Sequence, residues 1–352
     1  MKKPEARSQK SEVGSRKRDA TSFRYGFFWL LTSGFCLLCS VLVLGCGKAK
    51  TTTVNKSKLP ADLASRFDAA RAWRDMERVV GFGSRPSGSD ALAHTQAYIM
   101  EQLRAASLQA EEQAFTTNTP RGPITFRNII ARTRPNCPPR FIIGGHYDTK
   151  WLPRTKFVGA NDGGSSTAAL LEIARVLAGQ PVDAWIVWFD GEEAVQQYSD
   201  KDGLYGSVHM TRALFAQKQL RDIQAVIVLD MVGDKRLQLT VPEPARPKET
   251  VPNRWSAPLV QQAFAAAATL GLRDYITLLN HPMLDDHSPF DWNRVPAIDL
   301  IDFDYGNIPR DNNFWHTERD TLDKCAPESL RIAGQIALEL LRRLDFLKRP
   351  AK

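Results

Sequence analysis

After residue 46, the chain lacks the cysteine patterns of disulfide-rich and zinc-finger proteins. Of five cysteines in 352 residues, three lie between residues 36 and 46, and only Cys137 and Cys325 follow them. Two cysteines define no disulfide framework, and whether they form a single bridge in an oxidising compartment stays open. After residue 46 there is no CxxC pair, and no HExxH helix occurs anywhere, so two familiar short zinc motifs are excluded.

Residues 59–352 also lack an excess of basic residues, although the whole protein has a net charge of +8. Residues 1–26 hold eight Lys/Arg and three acids, and residues 47–58 add four lysines without an acid. Residues 59–352 therefore carry a net charge of about −1. The positive charge belongs to the flanks of a hydrophobic segment, which argues against a nucleic-acid-binding surface.

That hydrophobic segment, residues 27–45, has no charged residue. A basic region (1–26) followed by an apolar stretch (27–46) predicts a signal or membrane anchor, with residues 47–60 as a polar tether. Two interpretations stay open: "VLGC" resembles a lipobox with lipid on Cys46, and an uncleaved signal anchor also suits the length. Either predicts an exported protein that is associated with the membrane at the cell envelope or periplasmic face.

Residues 61–350 show the pattern of one α/β domain. Short apolar runs at 140–145, 184–189, 225–232 and 296–302 alternate with helical patterns, as in a sheet covered on both faces. A pair of β-strands is expected at 109–133. We therefore predict a single domain with a central mixed, mostly parallel sheet flanked by helices on both faces.

Candidate ligands follow the carboxyl ends of the predicted strands. The stretch "WFDGEEAV" leaves a buried strand with two adjacent acids, Glu192 and Glu193, where like charges should repel. Taken singly, each such residue has an ordinary explanation as a helix cap or a surface acid. In open α/β sheets, however, the site lies beyond the carboxyl ends of the strands. Imidazoles and carboxylates brought together there suit zinc, and the candidates are His146, Asp162, Glu192, Glu193, Asp230 and His316.

These segments resemble the zinc aminopeptidase family that also contains animal-type glutaminyl-peptide cyclotransferases. The resemblance covers roughly residues 65–345 and includes "SRPSGS" at 84–89 and "WHT" at 315–317. It implies one catalytic zinc bound by Asp162, Glu193 and His316.

The loops around this centre resemble the cyclotransferase branch. The resemblance implies that Glu192 shuttles a proton, that Asp230 holds Glu192, and that Asp285 of "DDHSPF" contacts the leaving amide. It also implies that Trp315 and Tyr198 line the substrate pocket. The expected substrate is the N-terminal glutamine of peptides or proteins, converted to pyroglutamate with release of ammonia.

Two other functions stay open. In an aminopeptidase, His146 and Asp230 would bind a second zinc, and Glu192 would activate a water. A binding module without activity is the third hypothesis, although none of the expected ligands is missing. The chain departs from the animal cyclotransferases at Tyr198 and Leu284, where a Trp and an amide are common. These differences concern the substrate pocket, and the oligomeric state is not predicted.

Overall fold

The computed structural model describes residues 59–199, 201–244, 255–308 and 312–347. The predicted basic region 1–26, the anchor 27–46 and nearly all of the 47–60 tether lie outside these residues. Among the residues described, no helix is long and apolar enough to cross a membrane.

The fold is built on one eight-stranded sheet with the strand order β1-β2-β4-β3-β5-β8-β6-β7. Four central strands, β4, β3, β5 and β8, run parallel, and the strands toward either edge include antiparallel pairs. The predicted mixed, mostly parallel sheet is confirmed. The strands are β1 (Gln109–Thr119), β2 (Gly122–Arg132), β3 (Phe141–His146), β4 (Ala184–Phe189), β5 (Ala225–Asp230), β6 (Leu239–Pro244), β7 (Ile276–Met283) and β8 (Ala297–Ile301).

The sequence pattern did not predict β6 and β7, which form the far edge of the sheet. Both contain proline, which cannot donate a ladder hydrogen bond and is confined to edges and bulges. The β6–β7 register indeed shifts between Pro242 and Glu243.

Helices cover both faces of the sheet, as predicted. Alternate residues of β5 divide between two cores: Ile227 and Leu229 pack with α1, α2, α3, α5 and α7, whereas Val226 and Val228 pack with α4 and α6. The helices are α1 (Ala69–Val80), α2 (Asp90–Ala105), α3 (Ser166–Leu177), α4 (Tyr205–Ala216), α5 (Ala257–Thr269), α6 (Ser288–Trp292) and α7 (Pro327–Phe346).

The connections around β3 create the crevice for the site. The chain leaves β3 through α3 to β4 on one side, and returns through α4 to β5 on the other side. Right-handed crossovers in opposite directions place α3 and α4 on opposite faces. The carboxyl ends of β3, β4 and β5 therefore meet at a topological switch point, where α/β sheets bind ligands.

Candidate metal centre and active site

Asp162 lies in a kinked segment, Ala160–Ser165, that leads directly into α3, and its own backbone is extended (φ −80°, ψ 104°). Asp320 holds this segment, because its carboxylate accepts hydrogen bonds from the backbone N–H groups of Asn161 (2.7 Å) and Asp162 (3.1 Å). The Tyr305 hydroxyl donates to the same carboxylate at 2.7 Å. Gly163 has a φ of +78°, and a Cβ there would collide with the backbone of residue 148. The bend that presents Asp162 thus requires glycine.

Arg85, in the "SRPSGS" segment, supports the same loop from below. Its guanidinium is completely buried and donates to the carbonyl oxygens of Gly83, Val158 and Gly159 at 2.7–3.0 Å. Burial lowers its pKa to about 10, so it remains charged at neutral pH. The "SRPSGS" segment, which carries part of the family resemblance, therefore supports the Asp162 loop through Arg85.

His146 and Asp230 lie at the ends of the adjacent strands β3 and β5. The Nε2 atom of His146 is 3.0 Å from Asp230 Oδ1 and 3.2 Å from Asp162 Oδ1. Its Nδ1 atom lies 3.1 Å from the backbone oxygen of Asp148, which suits an Nδ1–H donor and directs Nε2 at the carboxylates. All three side chains are buried.

Glu193 and His316 complete a second group around Asp162. The His316 Nε2 atom lies 2.8 Å from Glu193 Oε1 and 3.3 Å from Asp162 Oδ2. His316 has a left-handed backbone (φ +54°). Its ring stacks on Trp315 with the centroids 3.8 Å apart, and Phe157 meets it edge-on at 5.7 Å. Trp315 therefore orients this imidazole.

The two groups have the chemistry and spacing of metal sites. In each group, one ligand atom per residue lies within 4.8 Å of the others, and Asp162 belongs to both. The first group is His146, Asp162 and Asp230, and the second is Asp162, Glu193 and His316. Glu193 Oε2 has no hydrogen-bond partner although it is buried, and Lys150 Nζ lies 3.6 Å away. A histidine facing two carboxylates, with such an oxygen beside it, fits a zinc ion.

The electrostatics support the same fit. Burial alone would lower the pKa of His316, but Glu193 and Asp162 outweigh it and raise the pKa to about 9. The two histidines in turn hold the pKa of Asp162 below its usual range, although burial opposes them. Burial and the Asp162 charge raise the pKa of Glu193. Without a cation, a proton on the imidazole compensates the carboxylates, and a metal ion would take the place of that proton.

Glu192 lies beside this centre but belongs to neither ligand group. Its backbone N–H donates to Asp148 Oδ1 at 3.2 Å, and the Tyr198 hydroxyl donates to its Oε1 atom. Burial and the neighbouring Asp285 and Glu193 raise the pKa of Glu192 well above its usual range, against the opposing charge of His146. A carboxyl that is easily protonated beside a metal centre has the properties of a proton shuttle.

Asp285 joins the site from the loop before α6. Its side chain is buried, and burial raises its pKa. One oxygen each of Asp285 and Asp299 lies within 4.8 Å of a ring nitrogen of His287. The neighbouring Leu284, by contrast, is 42% exposed. The structure thus brings all the predicted residues to one edge of the sheet. The two cysteines among the described residues, Cys137 and Cys325, are free thiols.

Several supporting residues were not predicted as part of the site. Asp148, Lys150 and Asp320 each contact a predicted residue or its backbone. Asp148 and Lys150 follow β3 in "GGHYDTK", and Asp320 follows His316 in "WHTERDT", so their proximity in sequence was the available signal. Their partners come from other loops, which sequence spacing alone does not identify.

A parallel-centred α/β sheet with paired carboxylate–histidine groups at its carboxyl edge has the architecture of the zinc exopeptidases. The model of peptidase family M28 matches residues 128–341. The protein belongs to this family.

Similar proteins include enzymes named for two activities. The crystal structure of an Acidobacteriales bacterium glutaminyl cyclase is 33% identical, with a TM-score of 0.70, and the match covers 80% of this chain and 95% of that one. The glutaminyl-peptide cyclotransferase of Drosophila melanogaster is 27% identical over 69% of this chain and 73% of its own. A Zn-dependent exopeptidase from Parabacteroides distasonis is 28% identical, with a TM-score of 0.67, covering 78% and 98%.

Proposed function

We propose that this protein is a zinc-dependent glutaminyl-peptide cyclotransferase that converts an N-terminal glutamine to pyroglutamate and releases ammonia. The observation that carries the proposal is the position of Glu192, a buried carboxyl with a raised pKa beside a three-residue zinc site. The similarity to glutaminyl cyclases over most of the chain supports the substrate.

Asp162, Glu193 and His316 would hold one zinc ion. A zinc ion with three protein ligands and an open position supplies Lewis-acid polarisation of a carbonyl, here that of the glutamine side-chain amide. Trp315 and Phe157 keep the His316 ring in place, and Asp320 keeps the Asp162 loop in place.

The reaction itself requires folding of the substrate and movement of protons. The α-amine attacks the carbon of its own side-chain amide, a C–N bond forms, and the bond to the amide nitrogen breaks. Because this attack is intramolecular, holding the reactive conformation supplies much of the acceleration. Glu192 would accept a proton from the amine and deliver it to the departing nitrogen, so that ammonia leaves. Asp285 would contact that nitrogen, and Trp315 with Tyr198 would line the pocket.

The second candidate function is an aminopeptidase. The group formed by His146, Asp162 and Asp230 favours it, because these residues could hold a second zinc next to the first. Glu192 would then activate a water for attack on the peptide carbonyl. The same residue is the proton carrier in both reactions, so the activities differ in the nucleophile.

Metal analysis combined with two assays tests the proposal. The full-length protein is loaded with zinc, and its metal content is measured. Ammonia release from Gln-initiated peptides is then compared with amino-acid release from a panel of peptide amides. The proposal expects ammonia release with one zinc. Two tightly bound zinc ions with hydrolysis and no ammonia would contradict it.

We also propose that residues 27–46 place this domain on the outer face of a membrane. The support is the uncharged segment 27–45 between two basic stretches. Fractionation of cells, followed by mass measurement of the membrane form, tests it. A mature protein that begins at a lipid-modified Cys46 indicates a lipoprotein, an intact N-terminus indicates a signal anchor, and recovery in the soluble cytoplasmic fraction would contradict both.

A further inference from the structure

A tyrosine hydroxyl is hydrogen-bonded to the proton carrier of the site. Tyr198 OH donates to Glu192 Oε1, and the same hydroxyl lies 3.0 Å from the backbone oxygen of Glu192. Burial, the nearby carboxylates and this bond raise the pKa of Tyr198 well above its usual value. The hydroxyl therefore stays protonated and acts as a donor at every physiological pH.

The loop that carries Tyr198 is held in one conformation by Asp202. The Asp202 carboxylate accepts from the backbone N–H groups of Val195 (2.7 Å), Gln196 (2.8 Å) and Gln197 (3.1 Å). The Tyr205 hydroxyl donates to it at 2.9 Å. A carboxylate that closes a loop through three backbone donors fixes the position of the residues that follow. Tyr198 is thus presented to Glu192 by a rigid frame.

Two further residues lie against the ring of Tyr198, which is half-buried. Gly203 has a φ of +107°, and a Cβ there would lie 2.7 Å from the ring. Lys150 Nζ lies 5.3 Å from the ring centroid, within cation–π range, and 3.6 Å from Glu193 Oε2. Any larger residue at 203 would push the ring away. The contacts of the ring with Gly203 and Lys150 therefore help to position the Tyr198 hydroxyl.

We propose that Tyr198 is a positioning residue for Glu192, and that its hydroxyl holds one carboxyl oxygen so that the other exchanges protons with the substrate. This inference rests on the proposed role of Glu192 as proton carrier. In the resemblance to cyclotransferases, position 198 is only a wall of the substrate pocket. In the structure, Asp230 is hydrogen-bonded to His146, whereas the Tyr198 hydroxyl donates a hydrogen bond to the Glu192 carboxylate.

Tyr198→Phe tests the hydroxyl alone, since the ring and its packing remain. A hydrogen bond to a charged group that orients a proton carrier predicts a fall in kcat of about 10- to 100-fold. The KM for a Gln-initiated peptide should stay within about twofold, because the wall of the pocket is retained. Zinc content should equal that of the wild-type protein.

Tyr205→Phe is the matched control. It removes a tyrosine–carboxylate bond from the same loop, but the Tyr205 hydroxyl donates to Asp202 and to the backbone oxygen of Lys201, and Asp202 keeps its three backbone donors. We expect kcat for this variant within about twofold of wild type. Equal losses of kcat in Tyr198→Phe and Tyr205→Phe would overturn the proposal, because they would indicate a general effect of loop stability.

A double-mutant cycle with Glu192→Gln gives the sharpest outcome. If Tyr198 acts through Glu192, Tyr198→Phe should have almost no further effect on the residual rate of Glu192→Gln. The same loss in both backgrounds, a rise in KM at constant kcat, or a fully active Tyr198→Phe variant would each overturn the proposal. The cycle is measured on the reaction that the wild-type protein catalyses. Hydrolysis in place of ammonia release would therefore contradict the proposed function without deciding the role of Tyr198.

Discussion

The negative charges of two buried groups of carboxylates in this molecule are balanced by different kinds of cation. Glu172 of α3 and Asp75 of α1 lie among arginines: Arg71 donates twice to Glu172 at 2.7 Å, and Arg175 contacts both acids. We call these four residues the arginine cluster. The carboxylates at the sheet edge face histidines instead, and Asp162, at the end of the loop leading into α3, belongs to this second group.

The difference separates acids that hold the fold together from acids that carry chemistry. In the arginine cluster, permanently charged donors satisfy the carboxylates, and nothing further is required for stability. At the sheet edge, the positive charge comes from groups that can lose a proton, and one buried oxygen of Glu193 has no hydrogen-bond partner. Buried charge of this kind is stable only with a proton or a metal ion.

The largest effect is expected from removing a ligand. Glu193→Gln should lower zinc affinity by more than about 100-fold and abolish turnover, because it removes an anionic ligand from a three-residue site. Metal analysis after dialysis against a weak chelator checks it. Full zinc content in this variant would show that Glu193 is not a ligand.

The next largest effect is expected from the neighbouring acid. Glu192→Gln should lower kcat by about 1,000-fold, since the amide cannot move a proton, while zinc content and fold are retained. Steady-state kinetics with metal analysis of the same sample measures both quantities. If this variant loses its metal and Glu193→Gln keeps it, the roles of the two glutamates are reversed.

A substitution in the arginine cluster should lower stability and leave zinc binding unchanged. Glu172→Gln removes a buried anion from two partly exposed arginines and should reduce the free energy of unfolding by about 2 kcal/mol. Zinc content and the KM should be unchanged. Denaturant unfolding of the zinc-loaded variant measures the change in the free energy of unfolding. A loss of metal from this variant would show that the arginine cluster and the carboxylates at the sheet edge are not independent.

Proton release should accompany zinc binding. The pKa of His316 is raised to about 9 by Glu193 and Asp162, so the metal-free imidazole is protonated at neutral pH. Its charge stabilises the metal-free fold below about pH 6.5, and this stabilisation is lost as pH rises through 9. Zinc must displace the proton, so the apparent affinity should rise about tenfold per pH unit up to about pH 9.

Calorimetric titration in buffers of different ionisation enthalpy measures the proton count. About one proton released from His316 per zinc at neutral pH is the expected result. Binding without proton release would mean that His316 is neutral before the metal arrives.

The sequence was informative about the sheet edge because strand ends are local features. The apolar runs before His146, Glu192 and Asp230 predicted where three strands stop, and parallel strands bring their ends together. The fold class followed from the same runs. The prolines of β6 and β7 concealed two strands at one end of the sheet, because proline lowers strand propensity and only pairing with neighbouring strands establishes them.

The sequence was less informative about what holds each functional group. The bond between Tyr198 and Glu192 depends on a loop closed by Asp202, and the position of Asp162 depends on Asp320, 158 residues further along the chain. The first contacts span only five to seven residues and the last joins distant segments, but none of them leaves a periodic pattern. They explain why the candidate ligands could be predicted while their supporting residues could not.

The most direct test of the account is the fate of a Gln-initiated peptide in heavy-oxygen water, followed by mass spectrometry of the products. If Glu192 takes its proton from the substrate amine, the product is the full-length peptide minus one ammonia, without heavy oxygen. If Glu192 takes its proton from a water, the products are glutamine and a shortened peptide, with heavy oxygen in the new carboxylate of the glutamine. The first result is the one that this account predicts, and the second would contradict it.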